Sequence, residues 1–239
     1  MKIKKLIFYF IIFFSIFLIY KVTFKDKVNY IALGDFLAEG INPYGEIDYG
    51  YSDYLADYFR SENRLGFYIN EFSNKNYTID DIISDINNNK SIVLDKSKTN
   101  IRKLLRESDL VTISIGANDI ISSISYKDLD NKEVLKAKID FVSDKLDTAI
   151  KLIKKYAKKD ILLVGYYNPY ELDNYNLNDL VNYIDQKYLL ISNQNNIRFV
   201  SIKYILDNKK KYFPSPGSIY PSIDGYRKIY EQIKKELQK

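Results

Sequence analysis

Two stretches of the chain place polar side chains directly behind a glycine, where a backbone can turn and present them. One is IALGDFLAEG, with Gly34-Asp35; the other is ISIGANDI, with Gly116, Asn118 and Asp119. A third stretch, YFPSPGSIYPSIDGY, gathers Ser215, Gly217, Ser218, Tyr220 and Asp224. Hydroxyls, carboxylates and an amide are the groups that acyl transfer uses. One oxygen attacks, a base takes its proton, a third group orients the base, and a donor holds the oxyanion. The ordinary base is missing, because the chain contains no His; it contains no Cys either. An imidazole base, a His or Cys zinc site, a thiolate nucleophile, a disulfide and lipobox attachment are all excluded. A rearranged acyl-transfer site would have to draw on hydroxyls such as Ser73, Ser215 or Ser218, with Asp224 or Asp119 as a carboxylate base. Carboxylates are too scattered for a Ca²⁺ loop, and Gly34-Asp35-Phe36 has neither the lysine nor the spacing of a phosphate loop. No metal and no cofactor are expected.

The elements that must position these residues alternate. Short apolar runs predict strands at Val28–Leu33, Phe67–Phe72, Leu110–Ile115, Ile161–Gly165 and Arg198–Ile202. LVTISI and ILLVG are nearly continuous apolar segments, as in strands buried on both faces of a parallel sheet. Helices are predicted between them at Tyr51–Phe59, Ile79–Ile86 behind an N-capping Thr78, Asn100–Arg106, Glu133–Ala157, Asn178–Ser192 and Ile223–Leu237. Polar stretches Asn87–Lys98 and Tyr126–Lys132 read as rim loops. Five strands alternating with helices predict an α/β class, a doubly wound three-layer α/β/α sandwich with a five-stranded parallel sheet. In such a sheet ligands sit at the carboxyl ends of the strands.

Gly34-Asp35 at the end of the first strand, Gly116-x-Asn118-Asp119 at the end of the third, and Pro221-Ser222 with Gly225-Tyr226 before a final helix together resemble the SGNH/GDSL hydrolases. That family comprises esterases and lipases, and the likeness is to its small lysophospholipase-like branch. The stretch Gly165–Tyr170 also looks like the family's segment after the fourth strand. The resemblance covers Val28–Lys239 and implies a flavodoxin-like SGNH fold. It implies that Asn118 is the family's oxyanion-hole amide, and that the nucleophile, acid and base positions are Phe36, Gly217 and Tyr220. Asn76, in EFSNKNYTIDDI, stands for the family glycine whose N–H completes that hole.

None of the three triad positions keeps its chemistry. Phe36 has no oxygen, Gly217 has no side chain, and a tyrosine hydroxyl, with a pKa near 10, is a poor proton acceptor at neutrality. The expected catalytic set is therefore not intact. The chain reads as a pseudoenzyme of this family, a binding, scaffolding or regulatory module, with Asp35, Phe36, Asn118 and Tyr220 as its candidate pocket. An active esterase or lysophospholipase-type acyl hydrolase with a rearranged site is the alternative, and a regulator that pairs with an active relative is a third reading. Purely structural roles for Gly34, Asp35, Gly116 and Asn118 stand beside these, as turn and loop residues. Phe36 either fills the old cavity or lines it. Tyr44, Tyr49, Tyr51, Tyr166, Tyr167, Tyr170 and Tyr212 fall near predicted strand ends or rim loops, where rings can stack on a glycan or line an apolar groove. Glycan, acyl ligand and protein partner all remain open.

The chain has 239 residues, 46% of them hydrophobic and 28% charged, which suits one domain with an appendage. Residues 1–27 contain six lysines and one aspartate and so account for the whole net charge of +5; the rest carries 30 basic and 30 acidic side chains. With no excess of positive charge there, no nucleic-acid partner is expected. Lys2, Lys4 and Lys5 precede an uncharged run, Leu6–Tyr20. As helix that run spans about 22 Å, and Lys21 can snorkel to extend it through Phe24. Residues 1–27 offer no small-residue cleavage site. An N-terminal transmembrane helix acting as an uncleaved signal-anchor is expected, with residues 6–24 in the membrane. It would leave the N-terminus cytoplasmic and residues 28–239 as an extracytoplasmic domain on a single-pass protein.

Overall fold

The computed structural model describes residues 26–94, 96–170 and 177–239; the anchor expected at residues 6–24 lies outside them. Among the described residues no helix is long and apolar enough to cross a membrane.

Five strands form one parallel sheet. They are β1 (Val28–Gly34), β2 (Leu65–Ser73), β5 (Leu110–Ser114), β6 (Asp160–Val164) and β7 (Arg198–Val200), in the order β2-β1-β5-β6-β7. Every residue of β5 is buried, as its unbroken apolar run requires of a central strand covered on both faces. The chain steps from β1 outward to β2, then returns across β1 to β5. The crevice at the carboxyl ends of β1 and β5 is therefore the topological switch point, where this class of sheet receives ligands.

On one face lie α2 (Tyr51–Ser61) and the C-terminal α9 (Ile223–Leu237). On the other lie α3 (Ile79–Asn87), α4 (Ile101–Glu107), α6 (Lys132–Tyr156) and α7 (Leu177–Asn195). The stripe Leu135, Ile139, Val142, Leu146, Ile150 and Ile153 on α6 is wholly turned into the core. Thr78 and Asp81 close a capping box at the start of α3, with Thr78 N–H donating to the Asp81 carboxylate at 2.8 Å. Asn100 caps α4 by accepting from Lys103 N–H at 3.0 Å.

Two features depart from expectation. The stretch predicted as a rim loop at Asn87–Lys98 holds most of an antiparallel hairpin, β3 (Ser91–Leu94) with β4 (Ser97–Asn100). Ile92 and Leu94 pack on the core while Val93 faces water, so the period-2 signal is real but only three residues long. Three short helices, α1 (Phe36–Glu39), α5 (Ala117–Ser123) and α8 (Lys209–Tyr212), and a 3-10 turn at Tyr126–Asp128 escape periodicity for the same reason.

β1 and β5 meet closely at their carboxyl ends. Gly34 pairs with Ser114, and a Cβ at Gly34 would stand 1.9 Å from the Ser114 carbonyl oxygen, at a φ of +146°. Gly217 also has positive φ (+76°) but open space around it. Gly34→Ala combines backbone overlap with conformational strain and should lose about 3 kcal/mol or more in urea unfolding. Gly217→Ala should lose only about 1 kcal/mol. Equal losses would show that the strand-end contact is not tight.

Candidate functional site

The end of β1 runs directly into α1, and Asp35 is the joint. Its N–H donates to Ser114 O at 2.9 Å, and its Oδ1 accepts from Leu37 N–H at 3.1 Å as the N-cap of α1. Its Oδ2 takes the Tyr166 hydroxyl. Asp35 is completely buried. Burial pushes its carboxyl up to about 7, against the lowering effect of the Tyr166 and Leu37 donors. Burial likewise pushes the Tyr166 hydroxyl up, so it stays protonated and remains a donor.

Phe36 follows, 3% exposed. Its ring lies 5.1 Å from the Tyr220 ring and 6.4 Å from Tyr166, both tilted. Its carbonyl accepts from the Tyr226 hydroxyl of α9 at 3.2 Å, and the same hydroxyl reaches Ile41 O at 2.8 Å. Phe36, Tyr166 and Tyr220 thus form one aromatic wall at the switch point. Gly217 is exposed in a turn closed by Ser218 N–H to Ser215 O. It brings no side chain to that wall.

After β5 the chain turns at Gly116 (φ +117°), where a Cβ would stand 2.5 Å from the Tyr188 hydroxyl. That hydroxyl donates to Ile115 O at 2.9 Å. Asn118 then gives both amide hydrogens to the β2–α3 connection, to Lys75 O at 2.8 Å and Tyr77 O at 2.7 Å. Asp119 accepts from Ile79 N–H at 2.9 Å, at the start of α3, and pairs with Lys145 at 3.1 Å. The Gly-x-Asn-Asp block is a clamp on residues 75–79. An NH₂ group has two hydrogens to donate, and here both are committed to backbone carbonyls. The Asn76 N–H is taken as well, by Asn74 Oδ1 at 3.0 Å.

Beside the aromatic wall runs a groove of about 430 Å³, almost entirely apolar. Phe36, Tyr166 and Tyr167 form one side, α5 supplies Ile120 and Ile121, and α7 supplies Leu180 and Ile184. Tyr126 and Tyr170 are exposed at the rim. Of the four residues expected to form the pocket, Phe36 alone lines this groove. Asp35 is sealed beneath, Asn118 is turned into its loop, and Tyr220 packs behind Phe36. Of the seven rim tyrosines, Tyr166, Tyr167 and Tyr170 line it. Tyr51 is instead a core residue bonded to Thr112, Tyr49 bonds Asp57, Tyr212 is buried and Tyr44 stands in water. Sequence reasoning missed the contribution of α5 and α7. Ile120, Ile121 and Ile124 do recur at helical spacing, but over a helix of only seven residues.

Ser73 and Ser218 are engaged elsewhere. Ser73 Oγ donates to Ala32 O at 3.1 Å, and Ser218 Oγ accepts the Tyr220 N–H. Asp224 is paired with Lys211 at 3.3 Å. Among the described residues that line the groove, the one serine is Ser125. Its hydroxyl donates to Asp128 at 2.7 Å, but Lys138 beside Asp128 holds that carboxyl well below the usual range, which makes it a weak base.

A family model described as GDSL-like Lipase/Acylhydrolase matches residues 30–233. The chain belongs to that family. Solved structures agree on the fold. An acetylxylan esterase from Geobacillus stearothermophilus superposes with a TM-score of 0.61 at 17% identity, over 89% of this chain and 94% of its own. An extracellular lipase from Streptomyces rimosus gives 0.60 at 16%, over 87% and 98%. Three catalytic mutants of the acetylxylan esterase, changed at a serine, an aspartate and a histidine, are also similar to this chain, with TM-scores of 0.62 to 0.64. No curated protein sequence matches. This family member keeps the frame at the site, with phenylalanine after the Gly-Asp pair and an asparagine clamp.

Two outcomes follow from this geometry. The Asp35 carboxyl titrates higher in the folded chain than its ordinary value of 3.8. The folded state therefore binds that proton more tightly, and stability rises as pH falls from about 7 toward 4 and is lost above 7. No His is present to titrate in this window, and burial also raises the Asp53 carboxyl. Tm should increase between pH 8 and pH 5, reflecting roughly 2–3 kcal/mol of added stability, and Asp35→Asn should flatten most of that slope. A wild-type Tm that is flat or falls over this range would contradict the buried carboxylate. Separately, Asn118→Ala should cost about 1–3 kcal/mol and speed hydrogen exchange at residues 75–79. Unchanged exchange there would mean the clamp is not formed.

Proposed function

We propose that this family member is a pseudoenzyme, a tethered binding module that keeps the hydrolase frame and has given up its chemistry. The observation that carries the reading is the buried ring of Phe36. It sits where the family motif has its nucleophile, packed against Tyr220, in a chain without histidine. The committed amide of Asn118 adds to it, since a donor already satisfied by two carbonyls is not preorganised for an oxyanion. The apolar groove next to Phe36 favours an acyl chain or the apolar side chains of a protein partner over a glycan, because its walls offer few polar groups to hold sugar hydroxyls. The N-terminal run at residues 6–24 supports a tether to a membrane with the domain on its outer side. Structural relatives that are esterases support the opposite reading, of turnover at a rearranged site, and the experiment is chosen to separate the two.

Full-length protein in detergent should hydrolyse short and long acyl esters at the rate of a buffer blank, and a serine-reactive fluorophosphonate should leave it unlabelled. A fluorescent fatty-acid probe should bind, and Ile121→Lys at the groove rim should weaken that binding by about tenfold or more. Hydrolysis above blank together with labelling of Ser73, Ser125, Ser215 or Ser218 would overturn the pseudoenzyme. Absence of probe binding would overturn the groove assignment.

A further inference from the structure

The two edges of the sheet differ in charge. Four of the helices that run back toward the strand starts end there with cations; α7, which leads into β7, does not. The last turns carry Arg60 on α2, Arg106 on α4, and Lys154 and Lys155 on α6; α9, which runs the same way, carries Lys234 and Lys235. Lys158 and Lys159 follow α6 at the same edge. Cations at helix C-termini complement the macrodipole, so their positions alone say little. Their partners say more. Several basal carboxylates are matched by single cations: Asp57 with Arg60, Glu107 with Lys103, Asp109 with Lys159, Asp160 with Arg198 and Glu236 with Lys239, with Asp26 and Glu62 at the same edge. Arg106 and Lys155 lie over the Tyr156 ring and Lys234 over the Tyr58 ring. Lys154 and Lys158 reach only the backbone oxygens of Asn195 and Lys154. What remains is an excess of positive charge at the strand starts. The opposite edge carries exposed acids such as Glu46, Asp48 and Asp130, consistent with residues 28–239 being neutral as a whole.

The chain also enters the domain at this basal edge. Lys27 donates to Asn63 O at 3.1 Å and Arg64 Nε to Asp26 O at 3.4 Å, which fixes the point from which residues 1–25 depart. Those residues include the uncharged run Leu6–Tyr20. The described chain therefore begins at the same edge as these cations, a few residues after the uncharged run ends in the sequence.

We propose that the basal edge is a contact face for an anionic phospholipid surface. Docked there, it turns the carboxyl ends of the strands, and with them the groove, away from the bilayer. The groove then receives its ligand from the aqueous side and not from the lipids to which the chain is tethered. This deepens the tethered-module reading and rests on it for the identity of the surface; nucleic acid would satisfy the charge but not the neighbouring apolar run.

The test uses the full chain reconstituted with phosphatidylcholine vesicles, with and without phosphatidylglycerol, and reads hydrogen exchange. Residues 154–159 and 234–239 should exchange about tenfold slower or more with phosphatidylglycerol present. High salt should relieve the slowing, and residues 117–126 should be unaffected. The exposed triple variant Lys155→Glu, Lys158→Glu, Lys235→Glu should abolish the slowing. Equal exchange in both vesicles, slowing that survives the variant, or slowing at residues 117–126 instead would overturn the proposal, as would a DNA duplex competing the protection away. Flotation with phosphatidylcholine vesicles after a high-salt wash reports the tether separately. If the chain fails to float, the tether falls, while the exchange comparison still decides the face.

Discussion

A carboxylate sealed inside an apolar core is a standing demand on everything around it, and Asp35 makes that demand at the centre of this domain. Ionised and unpartnered it would be intolerable. The Leu37 N–H and the Tyr166 hydroxyl answer it. Each answer fixes geometry: the first forces the chain into α1 immediately after β1, and the second pins the loop leaving β6 against the end of β1. Phe36 has little freedom of its own. Held between a capped helix and Tyr166, it must present its ring at the switch point, and Tyr220 packs on the ring so presented.

The second retained block works by the same logic on the neighbouring strand. Asn118 and Asp119 satisfy or use backbone groups of the β2–α3 connection, which otherwise has few partners for its carbonyls and for the first N–H of α3. The two retained motifs therefore carry structural work of their own, whatever chemistry the site performs. That work is reason enough for Gly-Asp and Gly-x-Asn-Asp to stand in a chain with phenylalanine at 36, glycine at 217 and tyrosine at 220.

Much of the frame is legible from residue order. β5 and β6 announce themselves as apolar runs, and α6 as a six-residue stripe, because long elements repeat their pattern enough times to be read. The β3–β4 hairpin does not, since only Ile92 and Leu94 face inward and its partner strand is Ser-Lys-Thr-Asn. At the site, position was legible and environment was not. Sequence places Asp35 and Asn118 at strand ends, but a carboxylate in a pocket and one beneath it are written with the same letter. Whether Asn118 faces solvent or a carbonyl depends on a loop forty residues away. The groove is harder still, because its walls come from α5 and α7, whose apolar residues would serve equally well as core.

The commitment of the Asn118 amide has an evolutionary side. A donor that serves a reaction has to be free for it. Here residues 75–79 hang on both hydrogens of that amide. Serine at position 36 and histidine at position 220 would add a hydroxyl and an imidazole, yet the amide could not be released to join them without loosening the start of α3. Any change toward such a site passes through a less stable intermediate, and each further substitution that relies on the clamp raises that step.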